Sequence, residues 1–513
     1  MADQSLTIPG FLTKALALCA EEPAFGEIRS GQLRWRTWRE ISRDVDALAG
    51  ELRLAGVAPG DRIAQVSENR YEWIVVDLAL HSLGAVHVPI HVTLSGEQIA
   101  EQIAASGARI VFFSRTELLS KFAPSLKHGE TLFVHDEYDY GQEKPPLGSD
   151  ASHQSPATSH STDHLATILF TSGTTGRPRG VMLSQRNLAW NAAAAADAHG
   201  TSDLGTRINI LPFSHIYART CDLYTWLYRR SRLVLAESRE TLMRDCQLVQ
   251  PTVLNGVPYL FERIAERVRT AGVSLRSVFG ERMKQLTCGG APIAPEVEAW
   301  YESRGMPLLP GYGLTEASPV ISLSTPEARK IGTVGRPLAE LEVRFADDGE
   351  LLVRGPNVML GYWQDPTATS EAIRAGWLHT GDLGKLDADG YLSIRGRKKE
   401  LIVLSTGKKV SPTRVESLLT ASPLLEQVAV FGEGRANLVA LVVPAKREGQ
   451  EATRDELAAE ISAQLAVAAQ EEQVRNFVVL ERPFSIERGE LTPKMSLCRE
   501  AIARNYADQL RQI

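Results

Sequence analysis

The sequence predicts an α/β chain built as a large N-terminal domain followed by a small α+β domain. Three observations carry that prediction. Short apolar stretches of strand character alternate with helical ones over most of the chain, the pattern of layered α/β structure. Its 513 residues, 43 % of them hydrophobic, are enough for two or more sizeable cores. The composition changes near residue 400, where a basic cluster precedes a short run of strands and one helix.

The elements follow in order. Residues 37–54 read as an amphipathic helix. Ile41, Val45, Leu48, Ala49 and Leu52 recur at steps of three and four and so share a face. Thr37 and Glu40 have the spacing of a capping box at its start. "GVAPGDRIAQVSEN" (56–69) supplies a turn and a short strand. "WIVVDLALHSLGAVHVPI" (73–90) is apolar but broken by Asp77, His81 and His87, so no spanning helix is expected. "ARIVFFS" (108–114) and "TLFVHD" (131–136) read as buried strands. Residues 142–163, rich in Ser, Pro, His and Gly, read as a surface loop or connection. The alanine run 192–196 reads as a helix face.

Beyond residue 400, "QVAVFG" and "NLVALVVP" are two strands around a glycine turn, followed by a helix over 455–469 and the strand "NFVVL". The boundary is placed at Lys399, giving domains 1–398 and 399–513. No internal repeat is seen.

Bulk properties exclude some classes. A net charge of −6 offers no basic footprint for nucleic acid and does not favour anionic membranes. Cysteines 19, 221, 246, 288 and 498 are odd in number and lack CxxC spacing. Free thiols in a reducing compartment fit better than a disulfide framework or a zinc site. The first residues lack a charged segment followed by a long apolar core, which argues against a signal peptide and for a cytoplasmic protein.

One stretch asks for chemistry. "FTSGTTGRPRG" (170–180) follows an apolar run and holds three glycines, four hydroxyls and two arginines. It is not a Walker loop, because no lysine followed by Ser or Thr closes it. Backbone N–H groups, hydroxyls and guanidinium groups nonetheless suit phosphate. Taken alone, the stretch reads equally as a polar connector.

Further motifs follow it: "LPFSHIYART" (211–220), "CGGAPIAPE" (288–296), "GYGLTEASP" (311–319), "GWLHTGDLG" (376–384), "GRKKELIVLSTGKKVSP" (396–412) and "GELTPKMSLCRE" (489–500). In this order, over nearly the whole chain, the set resembles the adenylate-forming superfamily of acyl-CoA synthetases, luciferases and adenylation domains. "SENRYEWIVVDLALHSLGAVHVPIHVTLS" and "NGVPYLFERIAERV" look most like its long-chain fatty acyl-CoA synthetase branch. The resemblance implies a multi-subdomain N-terminal domain of layered mixed sheets and helices with a small mobile C-terminal domain. It implies ATP, Mg²⁺ and coenzyme A, and a fatty acid or related apolar carboxylate of medium or long chain. Such a substrate makes peripheral membrane contact plausible.

The resemblance also implies roles. Thr171, Ser172, Gly173, Thr174, Thr175 and Gly176, with Arg179, would hold the β- and γ-phosphates. Glu316, with Thr171, would bind Mg²⁺, since hard cations take oxygen ligands. Tyr312 and Gly313 would meet adenine, and Gly289, Gly290 and Ala291 would let the nucleotide approach the backbone. Thr315 would donate to the α-phosphate, Asp382 would accept from the ribose, and Arg397 would reach the ribose or a phosphate. His215 would stand near the carboxylate. Lys399 is the hinge, and Gly407, Lys408 and Lys409 form the coenzyme A side of the C-terminal domain. The plain alternatives are core packing for Tyr312, a solvated loop carboxylate for Glu316, a turn for Asp382, a structural imidazole for His215 and solvated faces for the basic clusters.

The chain departs from the family pattern twice. The phosphate loop ends in Pro178-Arg179-Gly180 where lysine is usual. Near the C-terminus the usual catalytic lysine position is Ser496, the next basic position is Cys498, and Lys494 lies two residues before Ser496. Either Lys494 takes over, since residues two apart on an extended segment share a side, or adenylation is impaired. The intact upstream motifs favour Lys494. Three functions follow: an acyl-CoA synthetase, an acyl-AMP ligase loading a carrier protein, or a non-catalytic nucleotide-binding protein. The absence of an insertion after the hinge favours coenzyme A.

Overall fold

The structure, a computed structural model, describes residues 6–122, 131–134, 162–171, 178–200, 205–445, 452–485, 487–491 and 497–513. Its two largest sheets have nine and seven strands. In the seven-stranded sheet, Arg62–Val66, Val86–Ile90, Ile110–Phe113 and Leu165–Thr171 run parallel, and Arg179–Ser184 closes back antiparallel on the last of them. In the nine-stranded sheet, Thr206–Asn209, Arg232–Leu235, Val253–Gly256, Gln285–Cys288 and Leu308–Gly313 are parallel. The strand Val86–Ile90 is buried along its whole length, as expected of parallel strands covered on both faces.

Helices fill the space between the sheets. Trp38–Leu54 starts at Thr37 with the expected capping box to Glu40, and it buries Ile41, Val45, Leu48, Ala49 and Leu52. Tyr71–Leu83 is buried around nearly its whole circumference, which accounts for its unbroken apolar reading. Trp38 stacks on Trp226 at 4.7 Å between ring centroids in the largest core. Among the described residues no helix is long and apolar enough to cross a membrane.

An antiparallel sheet containing Glu350–Arg354, Trp377–Leu386 and Leu392–Arg397 follows, and its register sets Asp382 opposite Arg397. Beyond it, Leu425–Phe431, Leu438–Pro444 and Val474–Val479 form a three-stranded sheet with its own core. The helix expected over 455–469 is shorter and runs Arg454–Gln464. Past its end the Gln473 side-chain N–H donates to the Leu465 carbonyl at 2.7 Å and to that of Ala468 at 3.3 Å, which gives carbonyls of the turn after the helix a partner. Most of residues 142–163 lie outside the described residues. All five cysteines are free thiols.

Candidate active site

The Gly- and Thr-rich stretch bridges two paired strands. Phe170 pairs with Gly180 and Thr171 with Arg179, and the Thr171 hydroxyl donates to the Arg179 carbonyl at 3.4 Å. Both ends of the loop are thereby pinned. Ser172, Gly173, Thr174, Thr175 and Gly176 lie outside the described residues. Arg179 stands over the Tyr362 ring at 5.6 Å and lies 3.9 Å from Asp365.

The strand Leu308–Gly313 ends in Tyr312 and Gly313, and the short turn Thr315–Ala317 follows. A Cβ on Gly313 would overlap the Pro319 carbonyl, so this close reversal needs glycine. Tyr312 donates its hydroxyl to Asp382 Oδ2 at 2.5 Å, and Arg397 Nε meets Asp382 Oδ1 at 3.2 Å. Burial, followed by the charge of Asp382, pushes the Tyr312 phenol well above its ordinary range. Burial also raises the Asp382 carboxyl, and Arg397 opposes that rise. Burial works against the Arg397 charge, but Asp382 and, behind it, Glu400, Glu316 and Tyr312 together raise the guanidinium.

Glu316 accepts the Tyr362 hydroxyl on Oε1 at 2.9 Å, and the Met359 N–H donates to the Glu316 backbone carbonyl. Gly289 packs flat against Tyr217, and a Cβ there would come 3.0 Å from that ring. Gly290 has φ +85°, which glycine adopts without strain. His215 precedes the helical turn Ile216–Ala218, with its ring 5.1 Å from that of His91.

A cavity of about 660 Å³ brings together Thr171, Arg179, Gly289, Gly290, Tyr312, Gly313, Thr315, Glu316, Arg397 and Lys399. A larger cleft of about 2740 Å³ shares Tyr312, Thr315, Arg397 and Lys399 with it and adds His215, Ala291, Asp382 and Lys409. Gly407 and Lys408 line neither. Gly407 turns a two-stranded hairpin with φ +78°, and Lys408 lies 3.9 Å from Glu471. Lys494 and Ser496 lie outside the described residues, while Cys498 precedes the helix Arg499–Asn505.

Sequence reasoning missed several supporting groups. Tyr362 orients Glu316, and Lys398 bridges Asp348 and Glu350 (3.1 Å to the latter). Glu350 in turn accepts the Gly381 N–H at 3.0 Å, which fixes the turn before Asp382. Tyr362, Asp348 and Glu350 come from parts of the chain far from the motifs, and Lys398, though inside the basic cluster, shows its role only through them, so no local spacing announces these contacts. A buried network beneath the site was also missed. Arg219, two residues past Tyr217, pairs with Asp77 and donates to the Thr167 hydroxyl at 2.8 Å. It thus ties the helical stretch after His215 to the strand that ends at Thr171.

Comparison with known proteins agrees with this geometry. The AMP-binding enzyme profile matches residues 13–363, and the AMP-binding enzyme C-terminal domain profile matches 399–513. The long-chain-fatty-acid–CoA ligase FadD15 of Mycobacterium bovis is 32 % identical, over 93 % of this chain and 92 % of that protein. Feruloyl-CoA synthase of an Amycolatopsis species is 33 % identical, over 84 % of this chain and 87 % of that protein. The solved structure of O-succinylbenzoate coenzyme A synthetase from Bacillus subtilis with AMP superposes with a TM-score of 0.80 at 24 % identity, covering 96 % of this chain and 97 % of that one, a likeness of fold. With the profile spanning most of the chain and relatives similar over nearly its full length, this chain belongs to the AMP-binding enzyme family of the adenylate-forming superfamily and is an acid–thiol ligase.

Proposed function

We propose that this protein joins a carboxylic acid to the α-phosphate of ATP, giving acyl-AMP and pyrophosphate, and then passes the acyl group to the thiol of coenzyme A. The expected acid is a medium- or long-chain fatty acid or a similar carboxylate. Relatives named for long-chain fatty acids and for a feruloyl acid support the wider class. One observation carries the proposal: Tyr312, Asp382 and Arg397 form a bonded triad beside a cavity that also holds Thr171, Arg179, Thr315 and Glu316.

A carboxylate is a poor electrophile, and its attack on a phosphate joins two anions. The site has to neutralise charge and align the partners. Tyr312 presents a ring to adenine, and its hydroxyl holds Asp382 ready to accept from the ribose. Arg397, already charged through Asp382, reaches the ribose or the phosphates. Thr315 donates to the α-phosphate, and Thr171 and Arg179 flank the phosphate loop. His215 lines the adjoining cleft, where it meets the carboxylate.

The oxygen donors present fit Mg²⁺. Glu316 has a second carboxylate oxygen beyond the one held by Tyr362, and Thr171 adds a hydroxyl. Among the described residues no cluster of three or more acidic, His or Cys side chains stands ready as an all-protein cage. That suits an ion bound through one carboxylate and the phosphates of its nucleotide. When bound, Mg²⁺ supplies neutralisation of phosphate charge.

The domains divide at Lys399, and rotation there exchanges the C-terminal face presented to the cleft. Lys494 approaches for adenylation, and the Gly407–Lys409 turn approaches for thioester formation. ATP–pyrophosphate exchange over a panel of acids tests the first half-reaction, and thioester formation with coenzyme A or with a carrier protein tests the second. Acid-dependent exchange followed by transfer to coenzyme A is the expected result. A protein that binds ATP but exchanges with no acid is a nucleotide-binding protein instead.

A further inference from the structure

The cavity extends past the nucleotide motifs, and strand alternation builds its far wall. In the nine-stranded sheet, Ile208 pairs with Leu254 and Leu254 with Leu286, and this row packs into the hydrophobic core around Phe261 and Tyr301. Successive strand residues point to opposite faces, so Arg207, Asn255, Gln285 and Thr287 turn the other way. All four line the cavity. Ala196, Val320 and Leu323 add apolar surface to the same cavity.

A guanidinium, two amides and a hydroxyl on a buried sheet face are costly unless they are hydrogen-bonded. The protein satisfies part of this set. Arg207 Nη1 donates to the Cys221 carbonyl at 2.5 Å and lies 3.5 Å from Asp222. Asn255 donates to Asp222 Oδ1 at 2.7 Å. Gln285 Nε2 donates to Thr287 Oγ1 at 3.0 Å, while the Gln285 amide oxygen has no protein partner among the described residues. A saturated hydrocarbon tail lying here would strip water from these groups and return no hydrogen bond. A tail bearing oxygen would replace the water.

We infer that the acid this enzyme activates carries oxygen functions on its body, as hydroxyl, carbonyl or second carboxylate, and that the Arg207–Gln285–Thr287 wall selects it over an unsubstituted chain. The inference rests on the proposed carboxylate activation, with the body of the acid lying in the part of this cavity beyond the nucleotide motifs. It narrows the expected apolar carboxylate to one with both polar and apolar parts, matching this mixed lining.

The test is ATP–pyrophosphate exchange with matched acids: octanoate against its ω-hydroxy and ω-carboxy derivatives, and cinnamate against its para-hydroxy derivative. At least one oxygenated acid is expected to exceed its parent by ~10-fold or more in kcat/KM, because a site built to bond a substrate oxygen rejects the analogue lacking it. The hydroxy and carboxy arms identify which oxygen is read. Gln285→Leu and Thr287→Val, each checked for an intact thermal transition, are expected to bring that ratio toward parity. Preference for the unsubstituted acids overturns the inference but leaves carboxylate activation standing. So does a ratio that neither folded variant moves. Absence of exchange with every acid overturns carboxylate activation itself, and this inference with it.

Discussion

Asp382 meets different partners with its two carboxylate oxygens, Tyr312 on one and Arg397 on the other. Asp382→Asn keeps the shape but removes the charge that holds Arg397, leaving a half-exposed guanidinium without that counter-ion. The loss of a charged hydrogen bond is on the order of 1.5–3 kcal/mol. The KM for ATP in pyrophosphate exchange should therefore rise by about 10- to 100-fold; an unchanged KM would remove Asp382 from the nucleotide site. Glu316→Gln is a different case. The amide still accepts from Tyr362 but no longer suits a hard cation, so exchange should fall by at least ~10²-fold and stay low as Mg²⁺ is raised. At this scale the sequence was most informative where chemistry is concentrated in contiguous motifs. Tyr312, Thr315 and Glu316 sit within five residues of one another, and cavity and motif coincide there. Tyr362 and Glu350 support the site from other strands, and no spacing rule connects residues that only the fold brings together.

Elements were legible where one face is polar. The helix Trp38–Leu54 advertises its buried stripe and its cap, whereas the buried helix Tyr71–Leu83 shows no such stripe. What interrupts its apolar run is a hydrogen-bonded chain. Gln185 donates to His81 Nδ1 at 2.7 Å, His81 Nε2–H donates to the Tyr224 hydroxyl at 2.8 Å, and Tyr224 donates to Asp77 at 3.3 Å. His87 Nδ1 also meets Asp77, at 2.7 Å. Burial pulls the His81 pKa down to about 3 and that of His87 down to about 4. Burial opposes the Asp77 charge, yet Arg219 first and the histidines after it hold that carboxyl well below the usual range. An unfolded histidine titrates near ~6.5, so between there and the folded values the unfolded chain binds more protons. Stability is therefore complete above that pH and falls as pH drops through the window. Depression of Asp77 adds a loss of the same sign below ~4. The melting temperature should fall on acidification from about pH 7 to about pH 5, and His87→Gln should flatten that slope. Equal slopes in the two proteins would remove His87 from the acid response. The turn after Tyr312 offers a second element-level test. Gly313→Ala drives a methyl into the Pro319 carbonyl, so it should destabilise by ~1–3 kcal/mol in denaturant unfolding and lower exchange with it.

At the scale of the whole molecule, the two large sheets and the small three-stranded sheet meet around a cleft lined from both sides of residue 399. Lys398 is tied back to Asp348 and Glu350, while no side-chain partner of Lys399 is seen among the described residues. The proposed hinge at Lys399 therefore lies one residue past an anchored side chain, within the short turn Lys398–Glu400. If one backbone position carries the rotation, restricting its dihedrals should separate the half-reactions. Lys399→Pro fixes φ near −65° and biases Lys398 away from helical ψ, whereas Lys399→Ala removes only the side chain. If the proline traps the adenylating orientation, pyrophosphate exchange should stay within ~3-fold of the parent and thioester formation should fall by ~10²-fold or more. The opposite split, with exchange lost and thioester formed from supplied acyl-AMP, would mean that the thioester-forming orientation was trapped. Lys399→Ala should support both steps. Equal loss of both half-reactions in the proline variant, with its thermal transition intact, would move the hinge elsewhere and leave the two steps to be served by a single arrangement of the domains.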